Sequence, residues 1–503
     1  MLRLLGVDGL DRDGRPLAAS LAERYCGSDA GRLARGVILP FAVALLEYDM
    51  SPRELALDGA SGAIDLGLEA QLLERPDRLA AAESRAAQLL EAALIRFDAN
   101  RTATRDMRDV LGQPNEPWLA IALRASEAKA AVAETRSIVA GGADVVQVRV
   151  PASWELAEAH RHAGVDTPDA FESEAFRKGR NAHVGDRRRA AQPVRRAVDP
   201  VPAGSQRGLA SLRAAADDAA AQRRSYAALM TVTSAFAAPE QAVVAGFERI
   251  DLVAADPIRE IVEENVDPAR ALADHAFAHR LQARAGCRVV IGPGPLVLGV
   301  DVASGLPSDA TTRNGRALAL QALGVELALA DGLPAERLLL GAVPDWVVGE
   351  ADAGSILLQA WLRRVVFPGH RLVLDGPTSW LGSPGGAIAL TAALAGGAPS
   401  IVVEPDFSGS VATASADLAG AARMACTLQA ALGDGSLHGD TAELAARVLR
   451  AAREVLARLS AEGWESLLGP AGHGADGDRL GGWAVVERDG GPTSGARLLT
   501  RLT

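Results

Sequence analysis

The sequence predicts a (β/α)₈ TIM barrel with helical extensions at its N- and C-terminal ends, and three observations predict it. Short apolar runs rich in Val, Ile, Leu and Ala recur eight times between Trp118 and Asp406. Most are followed by a longer stretch of helical periodicity, the order a parallel sheet needs because each strand is reached by a crossover. The runs are apolar almost without interruption, as strands covered on both faces are.

Taken in order, residues 1–112 read as a helical N-terminal layer. Apolar positions recur every three or four residues through Leu33–Leu46 and again through Leu79–Phe97, with Asp and Gly breaks between. After Pro114 and Pro117 the pattern changes, and residues 113–410 carry the barrel. Its strand candidates are Trp118–Leu123, Ala143–Val150, Ala227–Ala235, Glu248–Asp256, Cys287–Gly294, Arg337–Pro344, Arg371–Thr378 and Pro399–Asp406. Pro268–Ala285 and Asp309–Ala330 are the clearest helices between them. Eight strand–helix units suit a closed barrel better than an open doubly wound sheet, which stays the alternative. Residues 154–205 show little periodicity and read as a loop inserted at the barrel's C-terminal face. Residues 411–503 read as a C-terminal helical extension, with helices Ser415–Leu432 and Thr441–Leu459 each opening on a hydroxyl suited to an N-cap. A Gly/Asp-rich tail, Gly469–Gly491, follows and reads as a peripheral flap.

Composition narrows the function. A chain of 503 residues, 49% hydrophobic, can bury a large core. A formal charge of −11 disfavours nucleic acid as a partner, because phosphate backbones require a basic face. The Arg187–Arg189 run with Arg195 and Arg196 reads as a solvated loop. Cys26, Cys287 and Cys426 are far apart and make no zinc spacing, which fits a reducing cytoplasm. Asp8 interrupts the N-terminus before a secretory apolar core forms, and no 18-residue apolar run occurs, so neither export nor membrane spanning is expected. Lysine is confined to Lys129 and Lys178.

In such barrels reacting groups lie at the C-terminal ends of strands. The polar residues there are Arg149, Ser153, Thr233, Ser234, Asp256, Asp345, Asp375, Thr378, Ser379, Glu404 and Asp406. An arginine with neighbouring hydroxyls suits a phosphate, since the guanidinium offers fixed donors; strand-end hydroxyls more often satisfy loop backbone. His275 and His279 stand four apart on one helix, a spacing that can hold a metal, but no third ligand is evident and surface or helix-packing histidines are the better reading, so no metal is expected.

Several stretches resemble one family. Arg3-Leu4-Leu5-Gly6-Val7-Asp8-Gly9 with Asp13 is similar to the opening motif of lysine 5,6-aminomutase alpha subunits. Asn100-Arg101, Gly142-Ala143-Asp144-Val145, Ser234-Ala235-Phe236-Ala237-Ala238-Pro239-Glu240, Glu248-Arg249-Ile250-Asp251 and Gly332-Leu333-Pro334-Ala335-Glu336 follow in register. The resemblance implies a subunit of an adenosylcobalamin- and pyridoxal-5'-phosphate-dependent mutase that shifts an amino group to the adjacent carbon of lysine or a related diamino acid. It implies a barrel that cradles pyridoxal phosphate and a smaller beta subunit that binds cobalamin and supplies the Schiff-base lysine. Arg149 and Ser153 fall where the family contacts the cofactor phosphate, Ser153 with a one-residue gap, and Ser234 where it contacts the pyridine nitrogen. The chain also departs from the pattern. A ring-stacking tyrosine becomes Arg259, a cofactor- or substrate-contacting aspartate aligns near Gly294, and a lysine becomes Ser379; Pro202–Gln206 replaces a glycine- and threonine-rich segment. Asp256, Arg259, Asp375 and Glu404 are then the candidates to take over polar contacts. The alternatives are a non-catalytic barrel paralogue that assists assembly or reactivation of such a mutase, and an unrelated barrel enzyme acting alone on a phosphorylated metabolite.

Overall fold

The computed structural model describes residues 2–12, 16–27, 32, 36–114, 118–149, 205–232, 238–262, 268–292, 310–342, 353–375, 400–404 and 440–463. The N-terminal layer opens with a 3₁₀ turn, Leu2–Leu5, followed by α1 (Leu17–Cys26), α2 (Ile38–Tyr48), α3 (Pro52–Ser61) and α4 (Pro76–Leu111). The start of α3 shows how local sequence sets an element. Ser51 Oγ accepts the Glu54 N–H while the Glu54 carboxylate accepts the Ser51 N–H, a reciprocal cap. Pro52 fills the first helical position, and Gly62 ends the helix at φ 83°.

The barrel strands are β1 (Trp118–Ala122), β2 (Val145–Arg149), β3 (Ala228–Val232), β4 (Leu252–Ala254), β5 (Arg288–Ile291), β6 (Leu338–Ala342), β7 (Arg371–Asp375) and β8 (Ser400–Glu404). All pair in parallel in sequence order, and β8 returns to β1, with Trp118 opposite Ile401, so the sheet closes. Closure settles the question between barrel and open sheet. The helices between are α5 (Ala128–Ala140), α6 (Gln206–Arg223), α7 (Ala238–Glu248), α8 (Pro257–Val262), α9 (Pro268–Ala285), α10 (Ala310–Ala330) and α11 (Ala353–Val366), and α12 (Asp440–Glu462) packs on α10.

Alternation along the strands divides the barrel's apolar residues between two cores. Trp118, Ala120, Val145, Ala228, Met230 and Val290 fill the interior, while Ile121, Val146, Val148, Leu229 and Val289 join the helices outside. A further core lies under the N-terminal layer, where Leu4, Leu17, Phe41 and Phe97 meet Val243 and Phe247 of α7 and Phe277 and Leu281 of α9. Phe97 and Phe247 stand edge to face, centroids 5.0 Å apart.

Some sequence-based boundaries move. Pro268–Ala285 is found as read, and the Leu79–Phe97 pattern is the middle of the much longer α4. The strand expected over Glu248–Asp256 shrinks to Leu252–Ala254, because α7 runs through Glu248 and Arg249 adopts a left-handed φ of 56°. Thr441 is the second residue of α12 rather than its cap. The 154–204 part of the expected insertion, the Ser415–Leu432 helix and the Gly469–Gly491 tail lie outside the described residues. Among the described residues no helix is long and apolar enough to cross a membrane. Cys26 and Cys287 are buried free thiols; burial pushes Cys287 up to about 12.

Candidate functional site

Parallel closure gathers the C-terminal ends of all the strands on one rim, so residues distant in sequence become neighbours there. Arg149 is the last residue of β2 and pairs in register with Val232, the last of β3. Ser234 follows Val232 by two residues but, like Ser153, lies outside the described residues. Asp375 closes β7 and Glu404 closes β8; Asp375 is in register with Val403, and Glu404 with Ile121 of β1. Four of the sequence-derived candidates therefore end or follow strands on the same rim, Asp256 two residues past β4 being the fourth.

The Asp256 carboxylate is buried and already engaged. Its Oδ1 accepts the Ile258 N–H at 2.9 Å and its Oδ2 the Gly292 N–H at 2.9 Å, which ties the start of α8 to the end of β5. Burial raises its pKa above the ordinary aspartate value, and the two amides offset part of that rise. Gln321 reinforces the same junction by donating to the Ile291 and Gly341 carbonyls. Asp256 thus joins the turn between β4 and α8 to the end of β5. Arg259, one turn into α8, is partly exposed and lies near enough to Asp256 to favour its charged form.

Behind Asp256 sits a buried group of ionisable side chains. His275 Nε2 lies 3.0 Å from Glu260 Oε1, and His279 Nδ1 lies 2.8 Å from Asp331 Oδ2, with the two rings 5.6 Å apart. Among the described residues no group of three side chains could hold a metal ion. Each histidine faces a carboxylate inside a helix-packing interface. Burial alone would lower His275, but the Glu260 carboxylate outweighs it and the net shift is upward. Burial lowers His279, and the hydrogen bond to Asp331 reverses only part of that.

One residue at this end escaped the sequence reading. Gln147, in the middle of β2, is fully buried, and among the described residues neither its amide nitrogen nor its carbonyl oxygen has a hydrogen-bond partner. An orphaned buried carboxamide costs about 1–3 kcal/mol, so its place two positions before Arg149 asks for a polar group above it. The signal was present as a lone polar residue inside the run Val145-Val146-Gln147-Val148. The Gln147 carboxamide thus offers one unmet donor and one unmet acceptor to a polar group.

The opposite, N-terminal end of the barrel is held by buried ion pairs. Asp251 accepts from Arg108, from Arg213 at 3.2 Å, from the Tyr226 hydroxyl at 2.6 Å and from the Leu229 N–H at 2.9 Å. Asp144 accepts the Leu119 N–H and pairs with Arg223 at 3.0 Å. Asn100 donates to the last carbonyls of α7, those of Gly246 and Phe247. Asn100, Asp144 and Asp251 thus do structural work at the end away from the rim.

A family model described as the D-lysine 5,6-aminomutase TIM-barrel domain of the alpha subunit matches residues 1–156 and 203–385, well over half of the chain. The chain belongs to this aminomutase alpha-subunit family. Among curated relatives, the lysine 5,6-aminomutase alpha subunit of Fusobacterium nucleatum is 24% identical over 75% of this aminomutase-family chain and 65% of its own length. That of Acetoanaerobium sticklandii is 23% identical over 75% of this chain and 64% of its own. The match thus spans a little under two thirds of either relative. Solved dihydropteroate synthases overlay only distantly. The Anaplasma phagocytophilum structure gives a TM-score of 0.36 at 13% identity, over 62% of this chain and 100% of that one. The Yersinia pestis structure gives 0.34 at 14%, over 64% and 94%.

Proposed function

We propose that this chain is the alpha-type subunit of an aminomutase that binds pyridoxal phosphate at the barrel's C-terminal rim and acts with a cobalamin-binding beta subunit in the cytoplasm. The observation that carries the reading is the β2–β3 register, which sets Arg149 beside Val232 at the strand ends and so beside the segment that continues to Ser234. Arg149 would hold the cofactor phosphate, with Ser153 completing the anion's shell, because a guanidinium presents several donors in a fixed plane. Ser234 would hold the pyridine nitrogen. Pyridoxal phosphate would supply the electron-accepting ring and adenosylcobalamin the radical chemistry, both belonging to the cofactors rather than to the fold.

The chain's own residues would bind and orient. Asp256 clamps the α8 start to the β5 end, keeping the rim's backbone fixed. Gln147 would donate and accept at the cofactor's underside. Lys129 is exposed on α5, which supports assigning the Schiff-base lysine to the beta subunit. The substrate would be lysine or a related diamino acid, with Arg259, Asp375 and Glu404 taking the contacts that the family's tyrosine, aspartate and lysine make elsewhere.

A second reading is supported by those same replacements at Arg259, Gly294 and Ser379: a non-catalytic paralogue that keeps the partner interface and assists assembly or reactivation. An absorbance titration with pyridoxal phosphate, with and without the beta subunit, separates the two. A shifted band that weakens at least about tenfold in affinity in Arg149→Ala and Ser234→Ala supports the mutase. Partner binding without any cofactor band moves the assignment to the paralogue.

A further inference from the structure

A second polar cavity lies at the end of the molecule opposite the rim, between the C-terminal half of α4, the turn joining α9 to β5, and the residue before β6. It has a volume of about 370 Å³, within the range of small-ligand sites, and Arg101, Arg105, Arg108 and Arg337 line it with the Thr102 side chain and Gly286. None of the described residues lining it is acidic. Three arginines come from one face of α4, because positions 101, 105 and 108 are separated by four and three residues.

Part of this arrangement is helix capping. Arg337 donates to the Ala283 carbonyl at 2.5 Å and Arg101 to the Arg284 carbonyl at 3.2 Å, the last carbonyls of α9. Capping uses one nitrogen of each guanidinium and leaves the charges short of carboxylates. Arg108 is committed to Asp251, which also serves Arg213. Arg101 is 3.6 Å from Asp98, which Arg284 approaches more closely at 2.9 Å. Arg105 has an exposed Asp106 at 3.7 Å. Arg337 has no carboxylate partner among the described residues. Burial first, and then Arg101 and Arg108, pull its pKa below the usual arginine value.

Gly286 shapes the space between them. Its φ of 84° is in the left-handed region, and a Cβ there would meet Arg101 Cγ at 3.0 Å and approach an Arg337 nitrogen at 3.7 Å. Glycine thus leaves room for the Arg101 stem beside Arg337, and the two like-charged side chains line one cavity, an arrangement that a multivalent anion relieves through charge-assisted hydrogen bonds.

We propose that this cavity binds a small phosphate-bearing anion, at a site separate from the pyridoxal phosphate site. Inorganic pyrophosphate and a nucleoside polyphosphate share the required chemistry, and the cavity's size admits either phosphate chain.

The test is calorimetric titration of the full chain with inorganic pyrophosphate, and separately with ATP, at constant ionic strength. It is repeated on Arg101→Gln/Arg337→Gln, on Arg105→Gln and on Arg149→Ala. Saturable binding that weakens at least about tenfold in the double variant and survives Arg149→Ala supports the proposal. Arg105→Gln changes an exposed residue that makes no helix cap, and a threefold or greater loss there supports the same site even if the double variant fails to fold. Tighter binding of ATP would mean the organic portion is also held. Binding that is lost in Arg149→Ala and kept in the arginine variants places the phosphate at the rim and overturns the proposal. No saturable binding overturns it too.

Discussion

Gln147 and His275 are buried polar side chains whose consequences can be measured separately. Replacing Gln147 by Leu removes an unsatisfied carboxamide from an apolar interior, so the apo chain should gain about 1 kcal/mol in urea unfolding while its affinity for pyridoxal phosphate falls. A loss of stability with unchanged affinity would make Gln147 a scaffold residue only. His275 is faced by Glu260, Asp256, Asp274 and His279, with Asp331 beyond His279. Its folded pKa is raised above 6.5, so it contributes stability that is complete below its unfolded value and lost as pH rises through the folded one. His279 is lowered, in part by His275 itself, and works in the opposite direction, so His275→Gln is compared in a background that already carries His279→Gln. The advantage of keeping His275 should therefore shrink as pH rises above about 6.5, and a flat difference would sink the assignment. At this scale sequence was a partial guide. The four-residue histidine spacing was visible, and of the surface and helix-packing readings left open the buried rings fit helix packing, whereas Glu260 and Asp331 could not be chosen as partners from among dozens of carboxylates. Arg149 and Glu404 could be placed on the rim because a strand end is a position in a pattern. The Asp251 network could not, because its arginines lie 143 and 38 residues away.

Helix α7 is fitted so closely to α4 that its glycine has a steric reason. A Cβ at Gly246 would come within 2.3 Å of the Phe97 ring, so Gly246→Ala must push the two helices apart against a close-packed core. The expected cost is about 1–3 kcal/mol despite alanine's better helix propensity, and a chemical-denaturation midpoint at or above wild type would show that the contact yields. The elements themselves were legible where periodicity was sustained, as in Pro268–Ala285, and where both faces of a strand are covered. Ends were less legible because tertiary demands set them. Arg249 turns left-handed so that its side chain can reach Thr104 and Asp217, which cuts the expected fourth strand short.

Layer and barrel meet through helices that belong to both. From α7, Val244 and Ala245 pack into the core around the strands while Val243 and Phe247 pack under the N-terminal layer. We propose 1–112, 113–410 and 411–503 as divisions of the sequence rather than as independently stable units. Calorimetry of the full chain should then show one transition encompassing layer and barrel, and a chain lacking 1–112 should aggregate because the outer faces of α7 and α9 are bared. A soluble, folded truncation would overturn that expectation. The family was legible because its motifs include the residues that lock the N-terminal end: Asn100 on α7, Asp144 on Arg223 and Asp251 among its arginines. The clamp of Asp256 on Gly292 has a different consequence, for engineering. It fixes the stumps from which the rim's loops spring, so loops grafted beyond Gly292 and α8 would inherit a rigid mounting, and new substrate pockets could be exchanged without redesigning the barrel beneath.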